Sequence, residues 1–114
     1  MLVKVYYNLH KKCLSVVANE GENKGRVIGH VQEISLVNVV FKVSAAGRAR
    51  VLKEKRKNVH ATIWGRMTAE DLGQLPTAIT YNPYKYSSFV NKADESPVIH
   101  AKKVKVDGRN IWAS

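Results

Sequence analysis

Apolar and polar positions alternate in several short runs along the chain, which is the pattern of half-buried strands. The first run covers residues 2–8 and the second covers residues 13–18, close enough in sequence to pair as a hairpin. The same pattern predicts further strands over residues 26–31, 34–43, 59–67, 78–81, 98–106 and 109–113. The dipeptide Asp107-Gly108 separates the last two runs and is typical of a two-residue hairpin turn.

One segment breaks the strand pattern and predicts a helix over about 45–57. Most of its residues are good helix formers, and the Ser44 hydroxyl can accept a hydrogen bond from a free N–H of the first turn. Asn58 can end the helix because asparagine tolerates the left-handed conformation found at many helix exits. Three residues spaced by three or four positions are predicted to face the sheet: Ala45, Ala49 and Leu52.

The remaining segments predict little regular structure. Thr68 to Asp71 has the form of a capping box, which predicts a single helical turn over 69–73. Residues 82–97 predict a long loop with one short strand near Tyr86–Val90. The whole chain, 1–114, is then one α+β domain: a small, mainly antiparallel, strongly bent sheet or open barrel with one basic helix packed against it. The bend is expected because a sheet with no second layer must curl to enclose a core.

Charge narrows the possible partners. The chain has 19 Lys and Arg against nine Asp and Glu, a net charge of +10 and a pI near 9.9. Such an excess favours polyanions or acidic protein faces as partners. The lone cysteine, Cys13, excludes an internal disulfide, which fits a reducing cytoplasm, and we expect its side chain to be a small buried hydrophobe on a strand. Neither a signal peptide nor a membrane-spanning stretch is predicted, so no membrane partner is expected.

The helix segment carries the densest charge and is the first candidate site for nucleic acid. Its cations on a rigid element could follow a row of phosphates and release condensed counterions. The structural alternative is a solvated helix whose charge keeps the protein soluble. The candidate residues are Arg48, Arg50, Lys53, Lys55, Arg56 and Lys57.

The predicted C-terminal hairpin is the second candidate and would extend the same cationic surface through Lys102, Lys103 and Lys105. If Val104 and Val106 face inward with Lys102, then the other two lysines and Ala101 face outward. The structural alternative is an edge hairpin that its lysines protect from aggregation.

The aromatic residues favour a structural role. The group Tyr81, Tyr84, Tyr86 and Phe89 surrounds Lys85 and could stack on unpaired bases. Anchoring of the long loop to the core is the favoured interpretation. For the same reason we expect Trp64 and Trp112 in the core or at its rim.

Catalytic signatures are absent from the sequence, and no catalytic residue, metal site or cofactor is predicted. The histidines, at positions 10, 30, 60 and 100, have no short metal-ligand spacing, and no nucleophile motif or phosphate-binding glycine loop occurs. If the protein were an enzyme, the sites to suspect would be His10 with Lys11, Cys13 and Tyr7, or His60 with Arg56, acting on nucleotides or phosphoesters.

Four segments, KVYYNLHKKCLSV, GRVIGHV, FKVSAAGRARVLKEKRKNVHATIWG and YNPYKYSSFV, resemble small accessory proteins of tailed bacteriophages and prophages. The NEGENKG loop is where the chain departs from that group. The resemblance brings no site residues, but it implies a phage protein made inside a bacterial cell. It also implies action on host polymerases, nucleases or defence systems by binding.

Three functions follow as hypotheses. The first is binding of DNA or RNA, or of a complex that contains it, through the cationic helix and hairpin, with weak sequence preference. The second is a module that docks on the acidic face of a host protein and modulates it. The third is a small histidine-dependent enzyme. A homodimer is compatible with all three because a sheet of this kind can leave an edge unpaired.

Overall fold

The computed structural model describes all residues from 1 to 114 and shows nine strands and one helix. In chain order the elements are β1 (Leu2–Asn8), β2 (Cys13–Ala18), β3 (Val27–Val31), β4 (Glu33–Val43), α1 (Ala45–Glu54), β5 (Ala61–Met67), β6 (Thr77–Thr80), β7 (Val90–Asn91), β8 (His100–Asp107) and β9 (Asn110–Ala113). The strands predicted at 2–8 and 13–18 are confirmed at both ends.

All nine strands belong to one antiparallel sheet in the order β3-β2-β1-β5-β4-β8-β9-β6-β7. The outermost strands are β3, which pairs only with β2, and β7, which pairs with β6 and bridges to Pro97 on its other side. These two ends do not pair with each other, so the sheet is open. The predicted α+β class with a mainly antiparallel sheet is confirmed.

The core lies on one face of this sheet, here called the inner face. A single cluster of 13 buried apolar residues includes Val3 and Leu14 near one end of the strand order and Ile79 and Ala113 near the other. The sheet therefore curves around one core. Its two halves approach each other where the Arg109 guanidinium carbon lies 4.8 Å from the centre of the Tyr7 ring.

A bulge in β4 explains the mixed apolar pattern of this strand. Val37 pairs with Arg66 of β5 and Val40 pairs with Trp64, so two residues of β4 oppose one of β5. Asn38 adopts a positive φ of 53°, which asparagine tolerates better than most residues. The extra residue lets both Leu36 and Val39 face the core.

The helix is shorter than predicted and turns a different face inward. It ends at Glu54 because Lys55 adopts the left-handed conformation, with its N–H donating to the Val51 carbonyl. Val51 is its one buried side chain, whereas Leu52 is 38% exposed and both Ala45 and Ala49 are exposed. The predicted inward face is therefore wrong by about one residue.

Close approach at Gly47 explains where the helix sits. A Cβ on Gly47 would lie only 2.5 Å from the His60 Cβ, so the helix rests directly on the segment that leads into β5. Two hydrogen bonds hold the same contact: the Ser44 N–H donates to the His60 carbonyl, and the Asn58 amide donates to the Gly47 carbonyl. The Ser44 hydroxyl accepts from the Gly47 N–H, as the predicted cap requires.

The predicted helical turn over 69–73 does not form. Instead the Thr68 hydroxyl accepts from the Glu70 N–H at 3.1 Å, and an Asp71 carboxylate oxygen accepts from the Gly73 N–H at 2.9 Å. Such local bonds offer the backbone an alternative to a helical turn. Of the strand predicted near Tyr86–Val90, only Val90 lies in a strand, as the first of the two residues of β7.

Candidate nucleic-acid interface

The face of the sheet opposite the core, here called the outer face, carries cations and both tryptophans. Cross-strand partners share a face, and Lys4 pairs with Trp64 between β1 and β5. Val37 of β4 pairs with Arg66 on one side and with Lys103 on the other, and Lys105 of β8 pairs with Trp112 of β9. The register thus joins five neighbouring strands into one continuous surface.

Trp64 lies near the middle of this surface and is covered by lysines. The Lys42 ammonium lies 3.8 Å from the ring centre and the Lys4 ammonium lies 5.4 Å away, both within range of a cation–π interaction. The indole N–H donates to the Thr62 hydroxyl at 2.6 Å, which fixes the ring orientation. The ring is half-buried and points away from the core because Ile63 and Gly65, on either side of it, are buried on the inner face.

Trp112 is 41% exposed on the same outer face. Its neighbours in β9, Ile111 and Ala113, pack on or in the core cluster, so alternation directs the indole outward. The expectation that the tryptophans lie in the core or at its rim is therefore wrong. Both lie on the face opposite the 13-residue core cluster.

The outer face carries five cations from four strands. They are Lys4, Lys42, Arg66, Lys103 and Lys105. The acidic residues of this face, Glu33 and Asp107, pair with each other at its end.

Elsewhere in the chain, the carboxylates that accept hydrogen bonds do so from backbone N–H groups and hydroxyls. Asp94 is one of them, and donation from Ser96 lowers the pKa of its carboxyl group.

The candidate cations of the helix segment fall into three structural settings. Arg48 is half-buried, and its Nε–H donates to the Pro83 carbonyl at 3.0 Å, so it holds the loop after β6 against the helix. Arg50 and Lys53 are exposed on α1. The other three, Lys55, Arg56 and Lys57, are exposed beyond the last helical residue. The structure therefore divides one sequence cluster between a helix and an extended segment.

The hairpin lysines are also divided. Lys103 and Lys105 lie on the outer face, but Lys102 is exposed and Ala101 packs against the core. The prediction of an inward Lys102 is wrong because β8 changes its alternation before Val104, where the Lys102 N–H donates to the Ser114 carbonyl and the Ser114 N–H donates to the Lys103 carbonyl.

Sequence reasoning missed Lys4, Lys42, Arg66 and both tryptophans as site residues. A signal was present in ATIWGRM, because an inward Ile63 and Gly65 require Trp64 and Arg66 to point the other way. The same parity applies to Trp112 in NIWA. What the sequence does not display is that these strands are neighbours.

The aromatic group after β6 mostly anchors its loop, as the favoured interpretation predicts. Phe89 is buried, and its ring centre lies 5.1 Å from that of Phe41 and 5.3 Å from that of Tyr81. His60 Nε2 lies 2.7 Å from the Tyr81 hydroxyl, and burial raises the pKa of this tyrosine. Tyr84 differs from the others in being 59% exposed.

The histidines occupy separate places. His60 contacts Tyr81 and Asn58, while His30 Nδ1 lies 3.1 Å from the Ser15 hydroxyl. No three His, Cys, Asp or Glu side chains come together in a group that could hold a metal ion. Cys13 is a buried free thiol on β2, as predicted.

Comparison with known proteins gives the chain a family. The family model described as Mycobacterium phage L5 gene 82 protein matches residues 1–114. The chain belongs to this family. The gene 82 protein of Mycobacterium phage L5 is 36% identical over 123 residues, which covers 98% of this chain and 94% of the phage protein. The resemblance to small bacteriophage proteins is thereby confirmed, while no solved structure matches the chain.

The one helix, with ten residues, is too short to cross a membrane.

Proposed function

We propose that this phage protein binds nucleic acid through a cationic surface, inside the infected bacterial cell. The observation that carries the proposal is the outer face, where the register places five cations and two indole rings on one side of a continuous sheet. Arg50, Lys53 and the cations at 55–57 add a second exposed basic group in the connection between β4 and β5. Phage membership and the net charge of +10 support the same proposal.

The chemistry predicts how such binding behaves. Lysine and arginine contacts to phosphates release counterions, so the affinity falls steeply as salt rises. These contacts carry no sequence information, so related sequences bind about equally well. The test is a titration into labelled DNA and RNA, single-stranded and double-stranded, at several salt concentrations. If the protein binds none of these nucleic acids at any salt concentration, the proposal is contradicted.

Two variants locate the phosphate contacts. One changes Arg50, Lys53 and Lys57 to Ala, and the other changes Lys103 and Lys105 to Ala. Each lost phosphate contact lowers the slope of log affinity against log salt by roughly 1. The matched control changes Lys24 and Lys92 to Ala. Both lysines are exposed in turns outside the helix segment and the outer face, so this variant is expected to keep the salt slope of the unchanged protein. If the salt slope of a variant is unchanged, its substituted residues do not contact phosphates.

Docking on a host protein is the second candidate, and the edge strand β3 favours it. This strand pairs only with β2, and its Val27 and Ile28 side chains are 47% and 39% exposed. Lys24 and Arg26 precede the strand, so a partner strand with acidic flanks is complementary to this edge. The distinguishing result is a stoichiometric complex with one host protein that Ile28→Lys abolishes, with no affinity for free nucleic acid. A protein that self-associates through the same edge would instead sediment as a dimer, which Ile28→Lys would dissociate.

A further inference from the structure

The placement of the two tryptophans indicates which form of nucleic acid the outer face takes. An indole ring carries a large apolar surface that normally lies in a core or at an interface. Here the core occupies the other face of the sheet, and the chain's two tryptophans both lie outside it. Aromatic rings on an exposed sheet offer flat surfaces on which unpaired bases can stack.

The spacing of the rings suits a strand that crosses the sheet. Trp64 is on β5 and Trp112 is on β9, with β4 and β8 between them, so three strand spacings of about 4.8 Å each separate the two positions across the strands. The rings are also offset along the strands, because Trp64 is level with His100 of β8 through Val40, whereas Trp112 pairs with Lys105, and each residue of a strand adds about 3.3 Å. The path from one ring to the other is therefore diagonal. The region between them carries Lys103 and Lys105. A bound single strand therefore meets a ring, then cations, then a second ring.

The lysines over Trp64 can serve both the free and the bound state. In the free protein the Lys42 ammonium covers the ring face at 3.8 Å. A lysine side chain is flexible, so its ammonium can move from the ring to a phosphate while a base takes its place on the indole. Beside Trp64, a groove of about 310 Å³ is lined by Lys42, Ser44, His60 and Thr62, among others, and leaves space next to the ring.

We propose that the outer face binds single-stranded nucleic acid, with unpaired bases stacking on Trp64 and Trp112 and phosphates contacting the lysines and arginine around them. The inference rests on the proposed function and specifies its ligand. A duplex keeps its bases stacked within the helix, so its phosphates can reach the cations but its bases cannot reach the rings. The face is therefore selective for unpaired strands.

Intrinsic fluorescence tests this proposal directly because the chain has two tryptophans and both lie on the outer face. The variants Trp64→Phe and Trp112→Phe each leave one indole as the reporter. Each is titrated with oligothymidylate, oligouridylate and a blunt DNA duplex at low salt. We expect the single strands to quench the emission of both variants and to bind at least tenfold more tightly than the duplex.

Affinity provides the second measurement. Loss of one stacking ring in Trp112→Ala weakens single-strand binding about 5- to 150-fold and leaves duplex binding nearly unchanged. Tyr84→Ala is the matched control, because Tyr84 is an exposed aromatic residue in the loop after β6, and it keeps full affinity. Thermal unfolding of each variant confirms that it is folded, and Trp112→Phe, which keeps a ring, gives an intermediate loss.

The outcomes separate the two proposals. Steep salt dependence with unquenched emission and an unaffected Trp112→Ala overturns base stacking and leaves nucleic-acid binding in place. Tighter binding of the duplex than of either single strand also overturns the inference. Absence of binding to every probe at low salt overturns both proposals.

Discussion

The inner and outer faces of the sheet are built from the same strands but have opposite character. In β5, Ile63 is 5% exposed in the core cluster, and the next residue, Trp64, lies under two lysines on the other side. In β9, Ala113 is buried and Trp112 is 41% exposed. One face collects small and medium apolar side chains, while the other collects cations and the two largest rings.

This difference shows that ring size did not decide where the tryptophans lie. If apolar area alone decided, the indoles would occupy the core and a smaller side chain would take the outer position. Instead the core is filled mainly by Val, Leu, Ile and Phe, which pack without a polar atom to satisfy. The outer rings lie beside cations, and this arrangement is the basis of the proposed base stacking and phosphate contacts.

The largest expected effect is on the free energy of unfolding, and it compares a substitution on the inner face with one on the outer face. Leu36 is completely buried on the inner face, and Leu36→Ala is expected to lower the free energy of unfolding by about 2–5 kcal/mol. Its neighbour Val37 is half-buried on the outer face, and Val37→Ala is expected to cost less than about 1 kcal/mol. Urea unfolding of both variants measures the difference. Equal losses would mean that the outer face is covered in solution, as in a dimer, and closed to nucleic acid.

The strands were predictable because the alternation of a half-buried strand is local. β1 and β2 follow directly from LVKVYYN and CLSVVA. The bulge at Asn38 was not predictable in the same way, since it is defined by the partner strand β5 and not by β4 alone. The helix end was placed three residues late because Lys55, a good helix former, adopts the left-handed conformation.

The candidate site was predictable only in part. Lys103 and Lys105 stand close together in sequence and on the sheet, so a local charge count finds them. Lys4, Lys42 and Arg66 are far apart in sequence, and they become neighbours through the strand order β1-β5-β4. Such order depends on pairings between distant segments, which composition and periodicity do not encode.

A smaller effect on stability is expected in the helix, where one side packs on the segment before β5 and the other side is exposed. Only the exposed side has room for a larger side chain. In an exposed helix, Gly→Ala stabilises by about 1 kcal/mol. At Gly47 the new Cβ would lie 2.5 Å from the His60 Cβ, so Gly47→Ala is expected to destabilise by about 1–3 kcal/mol. The control Ala49→Gly, on the exposed side of the same helix, should cost only the propensity difference of about 1 kcal/mol.

Urea unfolding also gives the result that would contradict this interpretation. A stabilised Gly47→Ala would show that the helix can move away from His60 at little cost. The basic segment 48–57 would then be free to shift relative to Trp64. Destabilisation of Gly47→Ala would instead show that the helix, with its cations, is held in one position relative to the outer face.

The smallest expected effect concerns the hydroxyl of Tyr81, which follows β6 and contacts His60 in the segment before β5. Burial raises the pKa of Tyr81 above its ordinary value of 10.0, and the charge of Arg48 opposes this shift in part. Above pH 10.0 the unfolded chain therefore loses this proton before the folded chain does. The folded state then binds more protons than the unfolded state, so stability falls as the pH rises. The contribution is fully present below pH 10.0 and is lost as the pH rises through the folded pKa.

Tyr81→Phe removes the titrating group, so its stability should fall less steeply above pH 10.0 than that of the unchanged protein. At neutral pH the variant is slightly less stable, because it loses the contact between the hydroxyl and His60 Nε2. Urea midpoints measured from pH 8 to 11 compare the variant with the unchanged protein. Equal slopes for the two proteins would mean that burial does not favour the protonated form of the Tyr81 hydroxyl, which would contradict this prediction.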